Sequence, residues 1–182
     1  YLENFLNSNN QIIDRNIHIK DDQKTLENEL KNSKSDITIV IGGTGKSEDD
    51  FNFKNFKLLI NGLNLKPGRP FKSFIRNKKI FLFFPGNPCS SFVLTHILIN
   101  SLILKYQFSK DLIFDKEIDI KKIKFNFNSL IRKSFLFGFM KDAQNIKIFN
   151  NQESSNISNI LKSNCLIYFN KTKKLRIYKI ND

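Results

Sequence analysis

Apolar residues in the first part of the chain alternate between helical and strand spacing. Residues 1–8 follow an amphipathic helical pattern, and Leu26 with Leu30 predicts a helix that begins at Asp21 or Asp22 and reaches about Lys31. A short strand is predicted over 12–19. The run 36–41 is β-branched and apolar on both faces, which predicts a buried parallel strand ending at two glycines. This order favours an α/β domain.

The middle of the chain contains a hairpin pattern followed by an apolar helix. Residues 58–65 read as a strand, and 71–75 and 80–84 predict two strands joined by a turn over 76–79. A Pro-Gly-Asn-Pro turn follows, after which Ser90 or Ser91 is predicted to cap the helix.

From about residue 115 the pattern consists of short strands over 118–127, 135–140, 146–149, 165–169 and 175–180. We therefore predict an α/β domain at 1–112 and a small, mostly β domain at 115–182. The first residue is not Met and the chain opens within a helical pattern. We therefore expect a piece of a longer protein.

Composition narrows the class of protein. Forty per cent of the residues are apolar and 19 are Phe, which is enough apolar surface to form a packed core. This composition argues against a disordered chain. Two cysteines exclude a disulfide scaffold, so Cys89 and Cys165 are predicted to be buried thiols in a reducing compartment, the cytoplasm. The longest apolar run, 92–104, is shorter than the ~20 residues that span a bilayer, so no membrane association is expected.

The net charge of +13 comes from lysines scattered along the chain. They accompany no zinc-finger spacing, basic heptad or aromatic RNA-binding motif, so no nucleic-acid partner is expected. A basic protein weakly favours small anionic substrates through its long-range field.

Three loops follow predicted strands, where ligands bind in open α/β sheets. The first, residues 42–50, is rich in glycine and ends in carboxylates that could hold Mg²⁺. The second, residues 66–70, separates two cations by a Pro-Gly turn. The third, residues 85–90, is a rigid turn that leads into a helix. Each of these loops alone is usually only a structural turn. Their joint occurrence in this order after predicted strands is what indicates a ligand-binding site.

The motifs G-G-T-G-x-x-x-D-D, N-G-L-N-L-K-P-G-R-P-F and F-F-P-G-N-P-C-S-S, in this order with a hairpin between the last two, resemble those of the molybdopterin molybdotransferase family, of the MoeA and gephyrin E-domain type. The segments 152–155 and 161–167 resemble the family's small C-terminal β domain. The resemblance implies a three-layer, Rossmann-like molybdopterin-binding domain with a mostly parallel sheet, lacking its first strand, followed by that β domain.

The resemblance also implies a reaction, in which molybdate is inserted into adenylylated molybdopterin and AMP is released with the help of Mg²⁺. Asp50 would be the metal ligand and, with Lys66 and Arg69, a catalytic residue. Ser90 would join the two cations around molybdate, and Ser154 would contact an oxyanion. The backbone of residues 42–45 would lie along the pterin phosphate. The remaining binding residues that the resemblance implies are Gly42, Gly43, Thr44, Gly45, Ser47, Pro67, Gly68, Pro85, Gly86, Asn87 and Pro88.

Several departures from the family pattern leave two alternatives open. Phe137 stands where the family usually has an Arg before a Gly, and the family's N-terminal domains, which complete the site in a homodimer, are missing. A diverged, non-catalytic molybdopterin-binding scaffold would account for both. A molybdopterin adenylyltransferase of the MogA type would account for G-G-T-G but not for the K-P-G-R-P motif.

Overall fold

The computed structural model describes residues 1–20, 22–42, 56–142 and 145–180. Its contacts form two compact units: an N-terminal unit, Tyr1–Leu63 with Pro70–Gly86, and a C-terminal unit, Asn64–Arg69 with Asn87–Asp182. This division differs from the predicted boundary at 112–115, because the helical segment after residue 87 packs on the C-terminal strands. Each unit is therefore built from two separate segments of the chain.

The N-terminal unit begins with two helices, α1 (Leu2–Ser8) and α2 (Gln23–Asn32). The Asp22 carboxylate caps α2 by accepting from the backbone N–H groups of Lys24 and Thr25, at 3.2 and 3.1 Å, which confirms the predicted start. A hydrogen bond from the Thr25 hydroxyl is the main cause that lowers the pKa of Asp22.

The short strand predicted over 12–19 is wrong. Residues 11–20, all described, adopt neither helix nor strand. Ile12 is 96% exposed and Ile17 is also exposed, so these side chains have no apolar face to pack on.

The strands of the chain begin with β1 (Ile37–Ile41), β2 (Lys57–Asn61), β3 (Leu65–Lys66), β4 (Lys72–Arg76) and β5 (Lys79–Phe84). Four of them form the sheet of the N-terminal unit in the order β1-β5-β4-β2. The predicted parallel strand is confirmed, since β1 runs parallel to β5, but the other pairs are antiparallel. The described sheet is therefore mixed rather than mostly parallel, because the hairpin supplies its antiparallel strands.

The hairpin β4–β5 is confirmed and closes through Asn77 and Lys78, both with positive φ (50° and 64°). Two such residues are typical of a type I′ turn. Leu30 of α2 packs against the hairpin face formed by Phe74, Phe81 and Phe83. In contrast, β1 lies at the edge of the sheet that the described strands form and exposes Ile41, so the strand is not buried on both sides as predicted.

The C-terminal unit holds a six-stranded sheet in the order β3-β7-β9-β10-β6, with β8 paired to β7. Only the contact of β3 with β7 is parallel among its described pairs. The predicted strand over 118–127 begins as β6 and then continues as short 3₁₀ turns; the other predicted strands are confirmed. The new elements are β6 (Lys116–Asp119), β7 (Lys133–Met140), β8 (Ile146–Ile148), β9 (Cys165–Phe169) and β10 (Lys174–Lys179).

Helical residues 88–108 cover one face of this sheet. They comprise α3 (Pro88–Leu94), a π-helical turn (Thr95–Ile99) and α4 (Asn100–Phe108); a short α5 (Ser158–Lys162) follows later in the chain. Cys89, Phe92 and Val93 pack with Phe135, Phe137, Leu166 and Tyr178. The opposite face of the sheet packs Leu136, Ile167, Leu175 and Ile177 against the segment 118–130.

The helical stretch 88–108, with 21 residues, is long and apolar enough to cross a membrane. Half of its most apolar window is buried inside the protein, which is how the core helix of a soluble domain also appears. Its first turns, with Cys89, Phe92 and Val93, belong to the core on the sheet, whereas Tyr106 and Phe108 near its end are exposed.

Both cysteines are fully buried, as predicted. Burial raises the pKa of Cys165 to about 12 and also raises that of Cys89. The thiols therefore belong to the core rather than to a reactive site.

Candidate functional site

The first and third predicted loops start side by side in the N-terminal unit. Gly42 has φ +103°, and its N–H donates to the carbonyl oxygen of Phe84 at 2.9 Å. A Cβ added to Gly86 would lie 3.6 Å from the Cα of Gly42. Because β1 and β5 are parallel, both loops leave the same edge of the sheet. Gly43, Thr44, Gly45, Ser47 and Asp50 lie outside the described residues.

The second predicted loop belongs to the C-terminal unit. Lys66 ends β3, and Pro67 and Gly68 form the buried centre of the turn, between the exposed side chains of Lys66 and Arg69. Gly68 has φ +117°, and a Cβ there would lie 3.4 Å from Cδ2 of Leu94. The turn therefore presents two cations to solvent while its centre rests on α3.

The helix after the third loop is capped by Asn87, not by the predicted Ser90 or Ser91. The Asn87 side chain accepts from the backbone N–H of Ser90 at 3.2 Å, and Pro88 is the first helical residue. A proline lacks the N–H that the first helical turn leaves unpaired, so it favours a cap immediately before it. Ser90 itself is buried, one helical turn before Leu94.

The turn that carries Ser154 also contacts the start of this helix. The Cys89 thiol donates to the carbonyl oxygen of Asn156, with a separation of 3.5 Å between sulfur and oxygen. Ser154 lies two residues earlier and is half-buried. The first two turns of the helix thus contact both the 66–69 turn, through Leu94, and the 154–156 turn, through Cys89.

Phe137 is a packed core residue. Its side chain is 2% exposed, and its ring centroid lies 6.0 Å from that of Phe92. The Gln152 side chain bridges its backbone, accepting from the Phe137 N–H at 2.8 Å and donating to the Phe137 carbonyl at 2.9 Å. The position therefore supplies no cation to an anionic ligand.

A cavity of about 480 Å³ in the C-terminal unit is lined by Asp115, Lys116, Met140, Asn164 and Lys179 among others, and by none of the predicted residues. Within the described part of the chain, no three His, Cys, Asp or Glu side chains are close enough to hold a metal ion.

Sequence reasoning missed two features of the site. The capping role of Asn87 could have been found from Pro88, which marks the first helical position. The second feature is the pairing of Lys66 with Ser134, which brings the start of β7 next to the 66–69 turn. No local sequence pattern indicates a contact between residues so far apart in the chain.

A family profile described as "Probable molybdopterin binding domain" matches residues 1–105, more than half of the chain. The chain belongs to this family, which confirms the resemblance found in its motifs. An α/β unit with glycine turns at the ends of parallel strands agrees with that class of protein.

Among known proteins, the chain is similar to the molybdopterin molybdenumtransferase of Synechocystis sp., with 29% identity over 111 residues, 56% of this chain and 28% of that protein. It is also similar to the molybdenum cofactor synthesis protein cinnamon of Drosophila melanogaster, with 34% identity over 67 residues, 34% of this chain and 11% of that protein. The chain thus spans only a small part of these relatives.

The fold matches a solved structure over most of the chain. The molybdopterin biosynthesis MoeA protein from Pyrococcus horikosii aligns with a TM-score of 0.62 and 14% identity, covering 89% of this chain and 42% of that one. The match confirms the predicted combination of an α/β part followed by a β-rich part.

Proposed function

We propose that the chain acts in molybdenum cofactor biosynthesis, as part of an enzyme that inserts molybdate into adenylylated molybdopterin and releases AMP. The proposal rests above all on one observation: Lys66 and Arg69 project to solvent from a turn whose buried centre packs on Leu94. Membership of the molybdopterin-binding family and the names of the relatives support the same substrate class.

The chemistry of this turn suits a tetrahedral oxyanion. Molybdate is a dianion that needs several donors but no proton transfer. A cation about 4 Å from one of its charges contributes roughly 4 kcal/mol at an effective dielectric constant near 20, before the cost of desolvation. The guanidinium of Arg69 can in addition bind two oxygens at once. Lys66 and Arg69 would therefore bind and orient molybdate rather than exchange protons with it.

Mg²⁺ would be held through Asp50, with the 42–45 backbone along the pterin phosphate. When bound there, the ion would supply Lewis-acid stabilisation of the phosphoanhydride. Ser90, and Ser154 on the turn that contacts Cys89, would add hydroxyl donors. The same proposal includes a homodimer of the complete protein, located in the cytoplasm.

Isothermal titration of molybdate into the chain tests the proposal. We expect Lys66→Gln with Arg69→Gln to lower the affinity at least about tenfold, the usual size of losing a charged hydrogen bond. The matched control is Lys121→Gln with Lys122→Gln, which removes the same charge from exposed positions of the same unit. Equal affinity of the Lys66/Arg69 variant and the control would refute the assignment.

A non-catalytic molybdopterin-binding scaffold is the second candidate, and the buried Phe137 favours it, because no cation is available at that position. The two roles differ in turnover. With the complete protein, molybdate, Mg²⁺ and adenylylated molybdopterin, a transferase releases AMP. A scaffold binds the same ligands and releases none.

A further inference from the structure

Ser154 lies in the middle of a tight turn of the C-terminal unit. The backbone N–H of Asn156 donates to the carbonyl oxygen of Glu153 at 3.0 Å, which makes residues 153–156 a β-turn with Ser154 and Ser155 at its centre. We call residues 153–156 the serine turn. Ser154 is half-buried, and its hydroxyl makes no hydrogen bond with another residue in the described part of the chain. The oxygen is therefore available to a ligand.

Asn159 links the two ends of the serine turn. Its side chain is 3% exposed and donates from Nδ2 to the carbonyl oxygen of Asn151 at 2.7 Å. The Asn159 Oδ1 accepts from the side-chain amide of Asn156 at 3.3 Å. Asn151 in turn accepts the N–H of Glu153 with its side-chain oxygen, at 2.9 Å. One buried amide thus fixes residues both before and after Ser154.

Two further contacts attach the serine turn to the elements beside it. Besides its two hydrogen bonds with the Phe137 backbone, Gln152 donates to the carbonyl oxygen of Phe149 at 2.7 Å, which holds the start of the turn on β7. The Cys89 thiol donates to the carbonyl oxygen of Asn156, which holds the end of the turn on α3. The turn is therefore anchored on both sides of Ser154.

Anchoring of this kind affects how tightly a ligand binds. Binding to an unanchored surface turn includes the entropy cost of ordering the turn, and a turn that is already held avoids that cost. A functional group also acts best when contacts behind it fix its position within about 0.5 Å. Asn159 is buried and its amide already has hydrogen-bond partners, so it acts on a ligand only through the turn.

We propose that Asn159 is a positioning residue for Ser154. By joining residues 151 and 156 it holds the Ser154 hydroxyl where it can donate to the oxyanion without prior ordering of the turn. The inference rests on the proposed function, in which Ser154 is a hydroxyl donor. It adds a residue that lies between the segments 152–155 and 161–167 and belongs to neither of them.

A double-mutant cycle on molybdate affinity, measured by calorimetry with the chain, tests this role. We expect Ser154→Ala to lower the affinity about tenfold, through loss of a hydrogen bond to a charged group. Asn159→Ala should lower it at least about threefold, because a misplaced group binds less well. In the Ser154→Ala background, Asn159→Ala should have less than about a 1.5-fold effect, since the group that it positions is gone.

Asn164→Ala is the matched control. The Asn164 side chain also bridges a backbone, accepting from the Met140 N–H at 2.7 Å and donating to the Met140 carbonyl at 2.9 Å, but it contacts the end of β7 instead of the serine turn. The control should lower Tm about as much as Asn159→Ala and change molybdate affinity by less than about 1.5-fold. If Asn159→Ala does not fold, Asn156→Ala takes its place, because it removes one of the two links from a half-buried position.

Three results would overturn the inference. They are an unchanged affinity in Asn159→Ala, an equal loss in the presence and absence of the Ser154 hydroxyl, and a loss in Asn164→Ala as large as that in Asn159→Ala. Each leaves the proposed function intact if the unaltered chain binds molybdate and the Lys66/Arg69 variant does so more weakly. If the unaltered chain does not bind molybdate, the inference and the proposed function both fail.

Discussion

Replacing Gly138 by Ala should destabilise the C-terminal unit, because the position has no room for a side chain. Gly138 lies in the middle of the sheet, opposite Ile148 of β8 and Cys165 of β9. A Cβ there would overlap Cδ1 of Ile167 and would lie 2.7 Å from the carbonyl oxygen of Lys147. The second contact involves backbone and cannot be relieved by a change of rotamer.

The size of the effect follows from these two contacts. Overpacking a core costs about 1–3 kcal/mol. Because two contacts are too close at once, we expect Gly138→Ala to lower the unfolding free energy by about 3 kcal/mol. For a chain of this length, 1 kcal/mol corresponds to about 2–4 °C in Tm, so we expect a decrease of roughly 6–12 °C.

A double-mutant cycle with Ile167→Val tests the physical reason. The Val substitution removes Cδ1 and alone costs about 1 kcal/mol. Combined with Gly138→Ala it should cost about 1 kcal/mol less than the sum, since one of the two overlaps is gone. Gly86→Ala is the matched control, because its Cβ would meet the Gly42 Cα at an ordinary 3.6 Å.

The assay is thermal unfolding followed by tyrosine fluorescence, since the chain has no Trp and the buried Tyr178 lies in the C-terminal unit. A Tm of Gly138→Ala within 2 °C of the unaltered protein would refute the steric argument. An additive cycle would mean that Ile167 is not what opposes the new methyl group.

Three further predictions follow from individual residues. Asn87→Ala should lower the unfolding free energy by about 1 kcal/mol through loss of the helix cap, whereas Asn87→Asp should lower it less, as urea unfolding would show. Cys89 and Cys165 should resist iodoacetamide at pH 8 in the folded chain and both react in guanidinium; rapid labelling of the folded chain would contradict their burial. The lowered pKa of Asp22 stabilises the fold above the carboxyl's unfolded value of 3.8, and this contribution is lost as pH falls through the folded pKa, so Asp22→Asn should flatten the acid limb of the stability curve.

Local signals in the sequence were sufficient for most elements. The Asp22 cap, the β-branched run that became β1 and the two halves of the β4–β5 hairpin each depend on residues within a few positions of one another. Ile12 and Ile17 gave a wrong strand prediction, because a strand also needs a hydrogen-bonded partner and none of the described strands pairs with this segment.

The features that could not be predicted depend on pairing between distant segments. Lys66 and Arg69 were identified from their motif, but the pairing of Lys66 with Ser134 was not, because the β3–β7 register joins segments more than sixty residues apart. The boundary between the units differs from the predicted one for the same reason. The helix after Asn87 packs on Phe135, Phe137 and Leu166, which lie much later in the chain.

Each unit is built from two separate chain segments, which limits where the polypeptide can be divided into shorter pieces. A polypeptide starting at 115 would keep the C-terminal strands but lose β3 and the helical cover of 88–108, leaving Phe135 and Phe137 facing water. One stopping at 112 would carry that helix without the sheet on which it rests. Truncation at the apparent linker should therefore give two insoluble halves, and only co-expression of both halves offers a route to reassembling them.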